Sequence, residues 1–321
     1  MSTARANSNI AFIKYWGNAD DHLRLPANPS LSMNLDGLHT ETTVSWDEDA
    51  KADELTLNGE RAEGRALKRV SEHLDALRAR LNIRGYAWVV STNNFPMGAG
   101  IASSASAFAA LTVAAVHAAG LSLSERELTT LARLGSGSAA RSIPTGFVEW
   151  HVGRSHEESF AESIAPPDYW DLVDVIAIVS GAHKAVTSQE GHQTANTSEL
   201  QGVRVTGAEQ RLAVCKAALL ARDFEQFAEV VERDSNLMHA VMMTSRPPLF
   251  YWLPATLAVM DQVRRWRDEG LRVCYTLDAG PNVHCICVRS DAERVSKGLQ
   301  SMSGVSDVRV SAAGGPTRIV A

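Results

Sequence analysis

No part of the chain holds the roughly 18 consecutive apolar residues that a membrane-spanning helix needs, so a helical membrane protein is excluded. Cysteine is scarce. Cys215, Cys274, Cys285 and Cys287 are too few and too clustered for a disulfide scaffold. Positive charge is not in excess: 31 Lys and Arg against 37 Asp and Glu leave a formal charge of −6. A nucleic-acid binder that works through phosphate contacts is usually basic, so that class is disfavoured. The segment from Met1 to Asn7 lacks the apolar core of a signal peptide. There is no Gly-x-Ser-x-Gly and no His-Glu-x-x-His, which removes the common hydrolase and metalloprotease signals. Repeats of fixed period and low-complexity linkers are also missing. What is present is ordinary globular composition, 45% hydrophobic and 21% charged. At about 150 residues per domain, the expectation is a soluble, cytoplasmic protein of two domains.

The pattern along the chain mixes strands and helices. Residues 1–60 read as strands and turns, with β-branched residues from Thr40 to Trp46 and an Asn58-Gly59 turn after Leu55–Leu57. Leu67, Val70, Leu74, Leu77 and Leu81 are spaced as one face of a helix. Tyr86–Val90 reads as a strand. Residues 104–119 are Ala-rich and nearly uncharged, which predicts a buried helix stopped by Gly120. Ser124 to Glu127 is a capping box opening a helix through Leu134. Strands are expected at 146–152 and 172–180, and Pro166-Pro167 marks a boundary between residues 1–168 and 169–321. Helices are expected at 208–221, 223–238 and 254–269, and strands at 271–277 and 283–289. Without regular βαβ alternation the class is α+β. Cys285 and Cys287 share one strand face and read as buried thiols, since zinc wants wider spacing and a second ligand pair.

Four segments could carry chemistry. In Asn94–Ala105, Gly98 and Gly100 allow close backbone approach, and Ser103-Ser104 fall where the Ala-rich helix begins. Unpaired N–H groups and the positive end of the helix dipole make such a place an anion site. Taken locally, a plain cap is an equal reading. Gly135-Ser136-Gly137-Ser138 supplies hydroxyls and then Arg141, a residue suited to carboxylate or phosphate, although a polar loop fits the local pattern better. Asp278, at the end of an apolar strand before Ala279-Gly280-Pro281-Asn282, is placed as a general base or as an Asx-turn. Lys14-Tyr15-Trp16-Gly17 near the N-terminus is open to a reading as surface snorkelling.

Taken in order, these motifs resemble the mevalonate diphosphate decarboxylases of the GHMP kinase superfamily. Lys14-Tyr-Trp-Gly17, Pro96-x-Gly-x-Gly-x-Ala-Ser-Ser104, Gly135-Ser-Gly-Ser-x-x-Arg141 and Asp278-Ala-Gly-Pro-Asn282 carry the likeness. Asp234-Ser-Asn236-Leu-Met-His239 with Pro247-Pro248 and Phe250-Tyr251 extends it. The resemblance implies an N-terminal domain like domain 2 of ribosomal protein S5, a ferredoxin-like C-terminal domain, use of ATP and Mg²⁺, and a homodimer. It also implies roles. Asp278 orients the substrate's 3-hydroxyl or takes its proton, Arg141 holds the carboxylate, and Lys14 keeps Asp278 ionised. Gly98, Gly100, Ser103 and Ser104 cradle the ATP phosphates, with Asn93 near the nucleotide. Tyr15, Ser136, Ser138 and Ser188 surround the substrate's 5-phosphate end or the transferred phosphate. No fixed metal ligand set is expected, since Mg²⁺ travels with nucleotide phosphates.

The chain departs from the family motif at two places. Asn18 stands where the family motif Lys-Tyr-Trp-Gly-Lys has its second Lys, facing the substrate's terminal phosphate. Gln189, followed by Glu190, stands where some bacterial members carry Arg. With two cations missing there, the reading placed first is ATP-dependent decarboxylation of mevalonate 5-phosphate to isopentenyl phosphate. The alternative is the 5-diphosphate as substrate. Further alternatives are a 3-kinase without decarboxylation and a non-catalytic nucleotide-binding protein. Substitution by drift, compensated by His183, Lys184 or His192, is the reading that removes the argument.

Overall fold

The computed structural model describes residues 1–95, 103–181 and 188–321. β1 (Ser2–Ile13) is followed by a short ribbon of β2 (Asn18–Asp20) and β3 (Leu25–Pro26). The 18-residue β4 (Ser30–Asp47) then runs antiparallel to β1. A hairpin of β5 (Glu54–Leu57) and β6 (Glu60–Ala62) turns through Asn58 and Gly59, both at positive φ, as the Asn-Gly signal requires. α1 (Gly64–Leu81), β7 (Tyr86–Asn93), α2 (Ser103–Ala118), α3 (Glu125–Gly135), β8 (Phe147–Trp150) and β9 (Ala161–Ala165) complete this part. β7 pairs with the outer half of β4 and β8 with its inner half, so one long strand serves two neighbours.

The first core forms because one sheet face is small and apolar. Ala4, Ala6, Val44, Leu55 and Val89 face α2, whose Ala109, Ala110 and Ala114 let helix and sheet approach closely. Leu74 and Leu77 of α1 close the other side. The expected capping box opens α3: Glu127 N–H donates to Ser124 Oγ at 3.3 Å, and Ser124 N–H to Glu127 Oε2 at 2.8 Å.

The second part starts with β10 (Leu172–Ile178) and continues through α4 (Ser188–Thr194), α5 (Gln201–Thr206), α6 (Ala208–Ala221), α7 (Phe224–Thr244) and α8 (Pro254–Asp268). β11 (Val273–Thr276), β12 (Val283–Val288), α9 (Arg289–Gln300), β13 (Asp307–Ala312) and β14 (Arg318–Ile319) follow. β11-β12-β10-β13 form an antiparallel sheet. Val173, Val175 and Ala177 on one face meet Val259, Val263, Trp266 and Val295 of α8 and α9. Leu172, Ile176 and Ile286 on the other face meet Leu212, Phe227 and Val231 of α6 and α7. Those two helices also pack on Ile10, Phe12 and Leu31, with the Phe12 and Phe227 rings edge to face at 4.9 Å. α6 and α7 are thus the middle layer between two sheets. β14 returns to the edge of β1, pairing Ala4 with Ile319.

The elements expected from the pattern are present, with α7 running on to Thr244. Beyond Arg289 the pattern predicts nothing, whereas α9, β13 and β14 form there. Cys285 and Cys287 share a buried face, and burial pushes the Cys287 thiol up to about 12. Among the described residues no helix is long and apolar enough to cross a membrane.

Candidate active site

Lys14 sits in the turn after β1, and its backbone is fixed from several sides. Its N–H donates to Asp234 Oδ2 at 2.6 Å. Its carbonyl accepts from Asn28 Nδ2 at 2.9 Å. Asp234 is fully buried on α7 and also accepts from Arg211 Nε at 2.7 Å. Arg204, equally buried, donates to the Trp16 carbonyl and to Asn28 Oδ1. Gln201 Nε2 adds a bond to the Trp16 carbonyl at 2.9 Å. Gly17, at φ +89°, lies so close to Gln201 that a Cβ would meet its amide nitrogen at 2.4 Å. A buried polar network is stable only when fully satisfied, and here it holds one short segment rigidly.

The Lys14 ammonium reaches Asp278 Oδ1 at 2.8 Å. Burial lowers the Lys14 pKa, against the opposing pull of Asp278 and Asp234. Asp278 follows β11 and is reached by solvent, whereas Lys14 is 1% exposed. His239 of α7 is buried, and the Lys14 and Asp278 charges act on it. Burial holds this imidazole neutral, with a pKa of about 3.

Arg141 comes from a 3₁₀ turn, Gly137–Ser142, after α3. Its guanidinium donates to Ser30 Oγ at 2.6 Å and Asn9 Oδ1 at 3.3 Å, while its buried Nε has no hydrogen-bond partner among the described residues. Burial lowers its pKa to about 10, opposed by Asp278 and Tyr15. A buried guanidinium with an unused donor fits a carboxylate ligand.

Tyr15 packs edge-on against Trp150 and stacks on His192, with centroids 4.7 and 4.1 Å apart. Gly137 lies against the Tyr15 ring, where a Cβ would come within 2.7 Å. The Tyr15 hydroxyl donates to Asn18 Oδ1, and Asn18 Nδ2 donates to Asp21 Oδ1 at 2.7 Å. Ser136 Oγ lies 3.2 Å from Ser104 Oγ and 3.4 Å from Ser138 Oγ. Ser103 and Ser104 begin α2. Asn93 Oδ1 accepts from Thr40 Oγ1 at 2.5 Å on the strand leading towards them.

Thus Lys14, Asp278, Arg141 and Tyr15 are brought together with Ser104, Ser136 and Ser138. Gly98, Gly100, His183 and Lys184, and the side chains of Ser188 and Gln189, lie outside the described residues. Glu190, the anionic neighbour of Gln189, pairs with Arg65 at 3.1 Å. His192 is no cation: burial lowers it to about 3, and its Nδ1 accepts from the Gly17 N–H at 2.9 Å. Asn9, Asn28, Arg204, Arg211, and the roles of Asp234 and His239, were not foreseen. One signal existed. Asp234 falls with Phe227, Val230, Val231, Met238 and Val241 on the buried side of α7, where a carboxylate needs a partner.

Two packed α+β units, with a serine-lined cradle beside a Lys–Asp pair, make this a protein of the GHMP kinase superfamily. Residues 6–161 match the diphosphomevalonate decarboxylase-like N-terminal domain, and residues 174–315 the mevalonate 5-diphosphate decarboxylase C-terminal domain. The chain belongs to the diphosphomevalonate decarboxylase family. It is 39% identical to diphosphomevalonate decarboxylase of Aspergillus fumigatus, over 94% of this chain and 80% of that one. Identity to the Candida albicans enzyme is also 39%, over 88% and 82% of the two chains. The structure of mevalonate diphosphate decarboxylase from Staphylococcus aureus superposes with a TM-score of 0.93 at 36% identity, covering 100% and 98% of the chains. A complex described as MDDEF with MVAPP, AMPPCP and magnesium gives 0.93 at 36% identity, covering 99% and 98%.

Proposed function

We propose that the protein is an ATP-dependent decarboxylase of a 5-phosphorylated mevalonate, using Mg²⁺. The observation that carries this reading is the meeting of Asp278 and Lys14 beside Arg141, whose Nε has no partner among the described residues. The relatives' names favour mevalonate 5-diphosphate as the substrate, and isopentenyl diphosphate would then be the product. That moves the diphosphate ahead of the monophosphate placed first from sequence. A second reading keeps mevalonate 5-phosphate, because Asn18 is engaged with Tyr15 and Asp21 and brings no charge.

In this reading Ser103 and Ser104, at the start of α2, hold the nucleotide phosphates, with Asn93 nearby. ATP supplies the phosphoryl group for the substrate's tertiary 3-hydroxyl. Asp278 orients that hydroxyl and takes its proton, and Lys14 keeps the carboxylate ionised beforehand. Arg141 fixes the substrate carboxylate in its charged form. The C3–O bond then breaks, and phosphate leaves with the electron pair. The C1–C2 bond breaks to release CO2, and its electrons become the C2–C3 double bond. Orientation by Arg141 and Asp278 keeps the breaking bonds aligned. The division into units 1–168 and 169–321, the homodimer and a cytoplasmic location belong to the same proposal. The Pro166-Pro167 break between β9 and β10 supports the division.

Product analysis with ATP and each of mevalonate, its 5-phosphate and its 5-diphosphate tests the reading. Release of ADP, phosphate and CO2 with a phosphorylated mevalonate is expected. ADP release without CO2 would instead make the protein a kinase, and no turnover with any of the three would leave it a nucleotide-binding protein.

A further inference from the structure

Position 18 brings no cation to the 5-phosphoryl end of the proposed substrate, yet the structure brings another. The β2–β3 ribbon pairs Asn18 with Pro26 and Asp20 with Leu25. The chain therefore doubles back, and Arg24, at φ 49°, is carried to the start of the loop whose Gly137 lies against the Tyr15 ring. Arg24 Nε donates to the Leu134 carbonyl at 2.7 Å, immediately before the Gly135–Ser138 loop. Burial raises the Tyr15 hydroxyl's pKa, and the Arg24 and Arg141 charges oppose it. Burial keeps His73 and His192 neutral, and the Arg24 charge acts in the same direction.

A second guanidinium stands next to it. Arg69 follows Arg65 by one turn of α1, so both share a face. The Arg69 side chain lies over the Phe108 ring, its Nη2 is 3.5 Å from the Gly135 carbonyl, and its buried Nε has no partner among the described residues. Burial, with Arg24 and Arg65, lowers its pKa to about 10. Like charges held this close destabilise each other until an anion lies between them.

We infer that Arg24, beside Arg69, receives the terminal phosphoryl oxygens of the substrate and is the specificity-determining cation of this chain, in place of a lysine at position 18. The inference rests on the reading of the site as one for phosphorylated mevalonate. Ser136 and Ser138 belong to the loop that runs from the Leu134 and Gly135 carbonyls to Arg141, with the Tyr15 ring against its Gly137.

Calorimetric titration of the full chain with mevalonate 5-phosphate and with mevalonate 5-diphosphate, at one salt concentration, tests it. A hydrogen bond to a charged group is worth about 1.5–3 kcal/mol, or roughly tenfold to hundredfold in Kd. Arg24→Gln is expected to weaken the tighter-binding compound by about tenfold or more. Arg24→Lys, which keeps the charge and gives up the bond to Leu134, is expected to stay within about threefold of wild type. A change under about threefold in Arg24→Gln overturns the inference. So does an equal loss in both variants, which would assign Arg24 to holding the loop through Leu134. If wild type binds neither compound, the functional reading itself fails, an outcome distinct from the other two.

Discussion

Lys14 and Asp278 are unequal partners: the ammonium 2.8 Å from the carboxylate is almost wholly buried, and the carboxylate is the member that solvent reaches. The positive charge therefore stands behind the carboxylate, anchored through its own backbone to Asp234. The exposed member should therefore govern turnover, and the buried anchors stability.

Asp278→Asn removes the group that takes the proton while keeping its shape. A general base contributes about 10²–10⁴-fold. Turnover is expected to fall by that amount with nucleotide binding retained. Single-turnover ADP release within a few-fold of wild type would remove Asp278 from the chemistry.

Arg141→Lys keeps the charge and loses the fork that Ser30 and Asn9 hold in place. Because the carboxylate it faces in the proposed mechanism departs as CO2, kcat should fall together with kcat/KM. A rise in KM alone, in steady-state assays, would make Arg141 a plain anchor.

Asn18→Lys adds the missing cation next to Tyr15. The ratio of kcat/KM for the diphosphate over the monophosphate is expected to rise by roughly tenfold to hundredfold. An unchanged ratio would mean that position 18 does not see the terminal phosphate.

Asp234→Asn leaves Arg211 buried without its counter-charge and weakens the acceptor for the Lys14 N–H. Breaking one side of such a pair costs about 3–5 kcal/mol. Urea unfolding should report a loss of that size, and a loss below about 1 kcal/mol would show that the network relaxes around the change.

His73 and His239 are buried and His192 is partly exposed, and desolvation holds all three at about 3. The unfolded chain binds protons at about 6.5 and the folded chain does not, so their contribution is present above that pH and lost as pH falls towards 3. Three such groups give a slope of up to about 4 kcal/mol per pH unit. His284, whose ring is 2.6 Å from Asp174, runs the other way. Burial opposes its protonation, but Asp174 outweighs burial and raises its pKa, so it adds stability below about 6.5 that fades as pH rises through the raised value. Denaturant midpoints that stay flat from pH 7 to 5 would contradict the larger effect.

The sequence exposed those features that repeat or stop locally. The leucine spacing of α1, the Ala-rich α2 and the Ser124 capping box are each set by neighbours in the chain. Asp278, Arg141 and Lys14 were legible through motif order alone, because their meeting depends on how β1, the 3₁₀ turn and β11 pack. Arg24 was not legible, since nothing local distinguishes an arginine in a turn from one that reaches the Leu134 carbonyl. Asp234 and His239 carried a partial signal as polar residues on the apolar side of α7. β14 left none: a short strand at the edge of β1 is specified by its partner.

The middle position of α6 and α7 has a consequence for dissecting the molecule. Ile10, Phe12 and Leu31 are capped by Phe227 and its neighbours, and Lys14 finds Asp278 264 residues further along the chain. A fragment ending near residue 168 would carry the serine loops and Arg141, but with a bare greasy flank and an unanswered lysine. The Pro166-Pro167 break is therefore a seam in the polypeptide and not in the solid. Catalytic competence and global cohesion should be lost in a single thermal event, with no half-molecule persisting on its own.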